Sequence, residues 1–380
     1  MTQQDIKSVK LQVPVDDWLE LLDREYLSDY VLSGGSVVKV ITGSDESLEQ
    51  ALDAYQVLSG HYGYFFANLN AAELISDGTR PDGKKPDLHR IDRFFFEATS
   101  DVDWRAWAAA EARRFLTNNG IHVGERALND LEGIAADNGR DVTDLLNQYQ
   151  RGFATPLIRD HSMAIEFRTA LTALSRAQLV PESMTPTTEE VLLGWFSGKT
   201  MPGAAAALKR INIFSRIDRS TSRNILASFC RWLPRTGRSG LCIVLDFRPY
   251  EHKPKTRKQM RDAAQKRLAV AITNRASHEE LSAILAEGEA ELPLSYTQAA
   301  YDQMLQLLRR FIDEIDWFER FCLVVLTSEQ FCQKEKSPDQ ERHFSDYNAL
   351  QTRIGLEVHD ANHANPAAAL VHLTGSEVGI

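Results

Sequence analysis

Four short runs constrain this chain more than anything else in it: SVVKVIT at 36–42, GYFFANL at 63–69, LCIVL at 241–245 and FCLVVL at 321–326. Each is a near-continuous block of apolar side chains, largely β-branched in the first run, without the polar alternation of a sheet face open to water. Such a strand needs cover on both faces, which is the situation of a parallel strand between helical layers. Helical periodicity lies around them. The first run is followed by a polar turn and LEQALDAYQVLSG, and Ile225, Leu226, Phe229, Trp232 and Leu233 recur at helical spacing before the third. Before the fourth, Tyr301, Met304, Leu305, Leu308, Ile312, Ile315 and Phe318 form a long apolar stripe. Strands and helices in this rhythm predict an α/β fold with a doubly wound parallel sheet.

The second and third strands are separated by about 170 residues, far more than one crossover needs, so a large helical insertion is expected between them. Within it, Trp104, Trp107, Ala108, Phe115 and Leu116 define a helix ending at Asn119-Gly120, and the spans 127–146 and 161–174 read as further helices. The polar stretch VPESMTPTTEE marks a boundary near residue 185, with Thr188 or a neighbour capping the helix that begins EEVLLGWF. The organisation read from these signals is a first half-core over 1–98, a helical insertion over 99–187 and a second half-core over 188–380.

Composition excludes several classes. The chain has 380 residues, 43% of them hydrophobic and 25% charged, enough for a sizeable core and unlike a disordered or collagenous chain. No apolar run reaches the roughly 18 residues of a membrane span, and no secretory signal is read at the N-terminus, so a cytoplasmic location is expected. Cys230, Cys242, Cys322 and Cys332 form no C-x-x-C pair and sit in apolar surroundings, as reduced core thiols do. The net charge of −10 conceals a segregation, because residues 201–270 hold five lysines and eleven arginines against Asp218, Asp246, Glu251 and Asp262. A molecule so divided steers an anionic partner such as DNA to one face, or docks against an acidic subunit; surface arginines that merely solvate helices are the third alternative.

The turn after the first strand is where a P-loop protein keeps its phosphate cradle. Here it reads VITGSDESLEQAL, with Gly43, Ser44 and Ser47 as the residues nearest such a site. Setting Gly43 as the first glycine of G-x-x-x-x-G-K-[ST] puts Leu48 at the second glycine, Glu49 at the lysine and Gln50 at the magnesium-binding hydroxyl. A carboxylate in place of that lysine, about 4 Å from a phosphate, costs about 4 kcal/mol at a surface-like dielectric. The Gly198-Lys199-Thr200 triplet offers no rescue, since the residues before it are helical and Gly198 reads as a helix C-terminus. The third strand ends in Asp246, the pattern of a strand-end carboxylate that holds magnesium, but Phe247 follows where active AAA+ ATPases place a glutamate. The fourth strand ends at Thr327-Ser328, the position of a polar γ-phosphate sensor.

Other constellations carry less. His359 and His363 stand four apart with Asp360 and His372 near in sequence, yet lack the glutamate of H-E-x-x-H, and no metal site is expected. No G-x-S-x-G elbow or triad is present. The basic run 252–267 is sharper: Lys253, Lys255, Arg257, Lys258, Arg261, Lys266 and Arg267 supply charge without an interleaved aromatic, so phosphate contact without base reading is the expectation if DNA is the partner. Docking to protein and a plain solvated helix stay open beside it.

GGSVVKVITG followed by a helix, GRSGLCIVLD, LVVLTSEQF and the closing NALQTRIGLEVHDANHANPAAALVHL together resemble the P-loop ATP-binding proteins of bacterial phage-defence islands. The resemblance is to the BrxC/BrxD-like ATP-binding family of BREX systems among them, and it covers mainly residues 27–70 and 190–375. The resemblance implies an AAA+/ORC-like P-loop core, partners among the other subunits of a defence complex, oligomer formation and work on or near DNA. It makes Gly43, Asp246, Thr327 and Arg353 the matching positions of a nucleotide site, with Leu48, Glu49, Gln50 and Phe247 departing from the pattern. The resulting expectation is a pseudo-ATPase scaffold or regulator that uses no cofactor. Its alternatives are an ATPase that binds ATP and magnesium in a noncanonical or partner-completed site, and a protein-docking module without DNA binding.

Overall fold

The computed structural model describes residues 12–71, 91–199, 201–218, 220–248, 257–273, 277, 281–282, 284, 298–328 and 369–375. Its centre is a six-stranded sheet: β1 (Val13–Pro14), β2 (Ser36–Gly43), β3 (Phe65–Asn70), β4 (Leu241–Asp246), β5 (Phe321–Ser328) and β6 (Leu370–Thr374). Their spatial order is β1-β6-β2-β5-β4-β3, and every pairing is parallel. The four apolar runs are thus strands, and two shorter ones, β6 and β1, extend the sheet beyond β2.

Strand side chains alternate between two cores, as a period of two requires. Leu241, Ile243, Leu245, Phe321, Leu323 and Val325 face one, whereas Cys242, Val244, Cys322, Val324 and Leu326 face the other. Both sides being apolar is why the runs read as continuous. The smaller core is closed by helix α1 (Val15–Leu21), a wider-wound segment Leu22–Tyr30 and helix α2 (Asp45–His61) through Trp18, Leu22, Leu27, Leu48, Ala51 and Tyr55. The Cys242 and Cys322 thiols lie there, paired in register on neighbouring strands, and both are free and buried. Cys332 lies outside the described residues.

The larger core takes in the helical region. Its helices are α3 (Ile91–Ala98), α4 (Trp104–Asn118), α5 (Leu131–Asp137), α6 (Val142–Tyr149), α7 (Thr155–Arg159), α8 (Ile165–Leu179), α9 (Pro186–Phe196), α10 (Ala204–Arg210) and α11 (Ser222–Trp232). Helices α12 (Arg257–Thr273) and α13 (Gln298–Asp313) follow. Aromatic packing joins insertion to sheet: Trp104 stacks on Phe196 at 4.0 Å and on Trp232 at 5.8 Å, while Phe229 stands edge-on to Phe65 of β3. A buried acid is tied into this cluster, with Trp232 Nε1 donating to Glu111 Oε2 at 2.7 Å.

Two expected helices change outline. The span 127–146 is broken into α5 and α6, because Gly139 has φ +59° and Asp141 caps the second helix through the Thr143 N–H. The helix expected over 161–174 begins only at Ile165, after a turn in which Asp160 accepts from the Ser162 N–H, and it runs on to Leu179. The boundary helix α9 is capped by Thr185, whose hydroxyl accepts from the Thr188 N–H at 3.2 Å. It ends as expected at Gly198, with φ +70° and the Lys199 N–H bonded to the Gly194 carbonyl. Among the described residues no helix is long and apolar enough to cross a membrane.

Candidate functional site at the strand ends

Parallel alignment brings the carboxyl ends of β2 to β6 to one edge, the usual position of ligand sites in open α/β sheets. Register sets Asn70 beside Asp246, Asp246 beside Leu326, Gly43 beside Ser328 and Thr42 beside both Thr327 and His372. Gly43, Asp246 and Thr327, expected at one site, are therefore neighbours at this edge.

The joint between β2 and α2 is one residue long. Gly43 ends the strand, Ser44 is the N-cap with φ −67° and ψ 156°, and Asp45 begins the helix. Ser44 Oγ accepts from the Ser47 N–H at 3.3 Å and lies 3.0 Å from Ser47 Oγ, which itself donates to the Ser44 carbonyl at 2.9 Å. The two hydroxyls close on each other and on the helix terminus. A β-carbon added at Gly43 would stand 2.7 Å from the Leu373 carbonyl oxygen of β6 and 2.7 Å from Ser47 Oγ. Glycine is required here by the close approach of β6 and α2. Leu48 is fully buried in the smaller core, and Glu49 and Gln50 face outward from the helix.

At the end of β4, Asp246 is held by the arginine two residues on. Arg248 Nε donates to Asp246 Oδ1 at 3.0 Å, Nη2 donates to Oδ2 at 2.9 Å and the Arg248 backbone N–H adds a 3.1 Å bond to Oδ1. The remaining arm, Nη1, reaches Asp45 Oδ1 at 2.9 Å. One guanidinium thereby bridges the strand-end carboxylate and the first residue of α2. The Asp246 pairing pushes the Arg248 pKa further up, against the opposing effect of partial burial, with Asp45 adding to it. Phe247 between the two is fully buried in the larger core, and its N–H bonds to the Leu326 carbonyl.

Thr327 is also turned away from solvent. It is fully buried, and its hydroxyl donates to the Ile41 carbonyl at 3.1 Å. Arg353, His359 and His363 lie outside the described residues, as do Lys253 and Lys255. Arg257, Lys258 and Arg261 belong to α12, although their side chains lie outside the described set; Lys266 and Arg267 on the same helix are exposed. No group of three or more histidine, cysteine or acidic side chains among the described residues is arranged to hold a metal ion.

The bridging role of Arg248 and Asp45 was not read from sequence. The only signal was an arginine two positions after a strand-end aspartate in LDFRP, a spacing that lets the side chain fold back on the carboxylate.

A magnesium–triphosphate does not fit these residues. A phosphate cradle needs several loop residues with N–H groups turned inward, whereas the joint between β2 and α2 is the single residue Ser44. Compared with known proteins, the chain matches no family model, no curated protein and no solved structure.

Proposed function

We propose that this chain is a nucleotide-independent P-loop-like subunit, a pseudo-ATPase, that works in the cytoplasm as a scaffold or regulator of a bacterial DNA-modification-linked antiviral defence complex and touches DNA through its basic segment. The observation that carries the first part is the Arg248 guanidinium lying between Asp246 and Asp45. In a P-loop enzyme the strand-end carboxylate neutralises a magnesium ion, and the helix start faces phosphate. Here an internal cation meets that carboxylate, and the helix start carries a carboxylate of its own, so the charges at the strand ends are satisfied without ligand.

The sheet supports the same reading. β5, ending in Thr327-Ser328, lies between the strand that ends in Gly43 and the strand that ends in Asp246, so the three positions that the resemblance assigns to one nucleotide site lie on adjacent strands. The defence role rests on that resemblance, and DNA contact rests on the charge of residues 201–270, including the exposed Lys266 and Arg267.

Isothermal titration of the full chain with ATP and magnesium tests the core of the proposal. The expected result is no binding heat up to millimolar ATP. A dissociation constant in the micromolar range would overturn it.

A further inference from the structure

We propose that the loop carrying Phe214 is a stacking contact for single-stranded nucleic acid. Phe214 is 72% exposed, among the most exposed of the large apolar side chains. A lone exposed apolar residue is ordinary, but two features set this one apart.

The first is that the backbone presenting the ring is fixed on both sides. Helix α10 ends in a Schellman turn, in which Asn212 takes φ +62°, the Asn212 N–H bonds to the Lys209 carbonyl and the Ile213 N–H to the Leu208 carbonyl at 2.9 Å. The apolar contact that accompanies such a turn is supplied by Ile213 and Leu208, 1% and 6% exposed. Beyond the phenylalanine, Trp195 Nε1 donates to the Ser215 carbonyl at 2.9 Å, Thr221 Oγ1 donates to the Arg216 carbonyl at 2.9 Å, and Ile217 is buried. Ile213 and Ile217 are thus sunk in the core while Phe214 between them is left exposed. A preorganised aromatic loses little freedom when a base stacks on it.

The second feature is charge. Lys209, Arg210 and Arg216 are exposed, and among the described residues none of the three forms an ion pair. The only carboxylate in the sequence between Ala204 and Thr221 is Asp218, which is engaged by the N–H and hydroxyl of Ser220 and the N–H of Thr221. An exposed aromatic two residues from Arg216 and within five of Lys209 and Arg210 in the chain has the local chemistry of single-strand binding, where phosphates meet the cations and a base of any identity stacks on the ring. Duplex DNA keeps its bases stacked on each other and offers this ring nothing, which selects the single strand as the occupant. The inference adds a second contact to the DNA-associated reading above, with its own residues.

The test is fluorescence anisotropy of the full chain with a labelled oligothymidylate of about twenty nucleotides, longer than a typical site of about 4–16, in about 50 mM salt. Phe214→Ala is expected to weaken binding about 5- to 150-fold, the range of one lost base stack, with an unchanged melting temperature. Phe214→Trp is expected to retain binding, and neither change should alter affinity for duplex of the same length. Arg216→Ala is expected to lower the slope of log affinity against log salt by about 0.7. An undetectable complex with the wild-type chain, Phe214→Ala within twofold of wild type, or an equal loss on duplex would each overturn the proposal. So would a loss confined to binding of a protein partner. The readings fail separately: loss of DNA binding only in Lys266→Ala/Arg267→Ala supports the basic helix and overturns this loop, and ATP binding would leave the loop untouched.

Discussion

Replacing Arg248 by alanine removes the bridge across the strand ends while leaving its backbone N–H on Asp246. Asp246 and Arg248 side chains are 18% and 21% exposed, so the pair lies mostly out of water and in a fork-to-carboxylate geometry. Hydrogen bonds to charged groups contribute about 1.5–3 kcal/mol, and stranding a partly buried carboxylate adds to the loss. The Asp45 arm adds little, because that carboxylate is 84% exposed and a surface pair is worth about 0–1 kcal/mol. The variant is therefore expected to lose about 2–3 kcal/mol in urea unfolding followed by tryptophan fluorescence, Asp45→Asn no more than about 0.5 kcal/mol. A double-mutant cycle with Asp246→Ala should return a coupling of about 1.5–3 kcal/mol, and the loss should persist in about 1 M salt because the pair is shielded. A coupling below about 0.5 kcal/mol, or a loss that vanishes in high salt, would refute the claim that Arg248 neutralises the strand-end charge.

Gly43→Ala is expected to destabilise by about 1–3 kcal/mol through overpacking against the Leu373 carbonyl. Gly60→Ala, with open space around it, is expected to stabilise by about 0.5–1 kcal/mol; equal melting shifts for the two would contradict the packing argument. Glu111 is 4% exposed, and its pKa is raised mainly by burial, with the Trp232 N–H pulling the other way. A raised carboxyl pKa means that the folded state holds the proton more tightly, so its contribution to stability is greatest in acid and declines as pH rises through the folded value. Glu111→Gln should flatten that decline and be at least as stable as wild type at neutral pH, whereas parallel stability–pH curves would show that Glu111 is not the group responsible.

Much of this fold is legible because burial on both faces leaves a signature that one sequence carries. Strands β2 to β5 announce themselves as unbroken apolar runs, and Gly198 announces a helix end. β6 does not, since Leu370, His372 and Thr374 are half-exposed and alternate with buried Val371 and Leu373, too short a pattern to separate from loop. The division of 127–146 falls at Asn138-Gly139, the same asparagine–glycine signal that ends α4 at Asn119-Gly120, which the apolar periodicity on either side of it masks. At the strand ends Gly43, Thr327 and Asp246 stand on adjacent strands, but what they do there is decided by geometry. Helix α2 starting at Asp45 turns Leu48 into core, and Arg248 folding back on Asp246 is a contact between two residues that the alignment with a phosphate motif never considers. The Phe214 loop was hidden for the opposite reason: its ring looks like any core phenylalanine until the buried isoleucines on either side show that it faces outward.

The sheet order carries a consequence for how the molecule is made. β2 has β5 on one side and β6 on the other, so the Thr327 hydroxyl and the Ile41 carbonyl that meet across one ladder are 286 residues apart in the chain. On the ribosome the strand bearing Gly43 finds neither neighbour until the 286 residues that separate the Ile41 carbonyl from the Thr327 hydroxyl have followed it, leaving a hydrophobic edge exposed meanwhile. A chain wired in this way depends on whatever shelters that edge meanwhile, and interrupted translation products should be the form in which it aggregates.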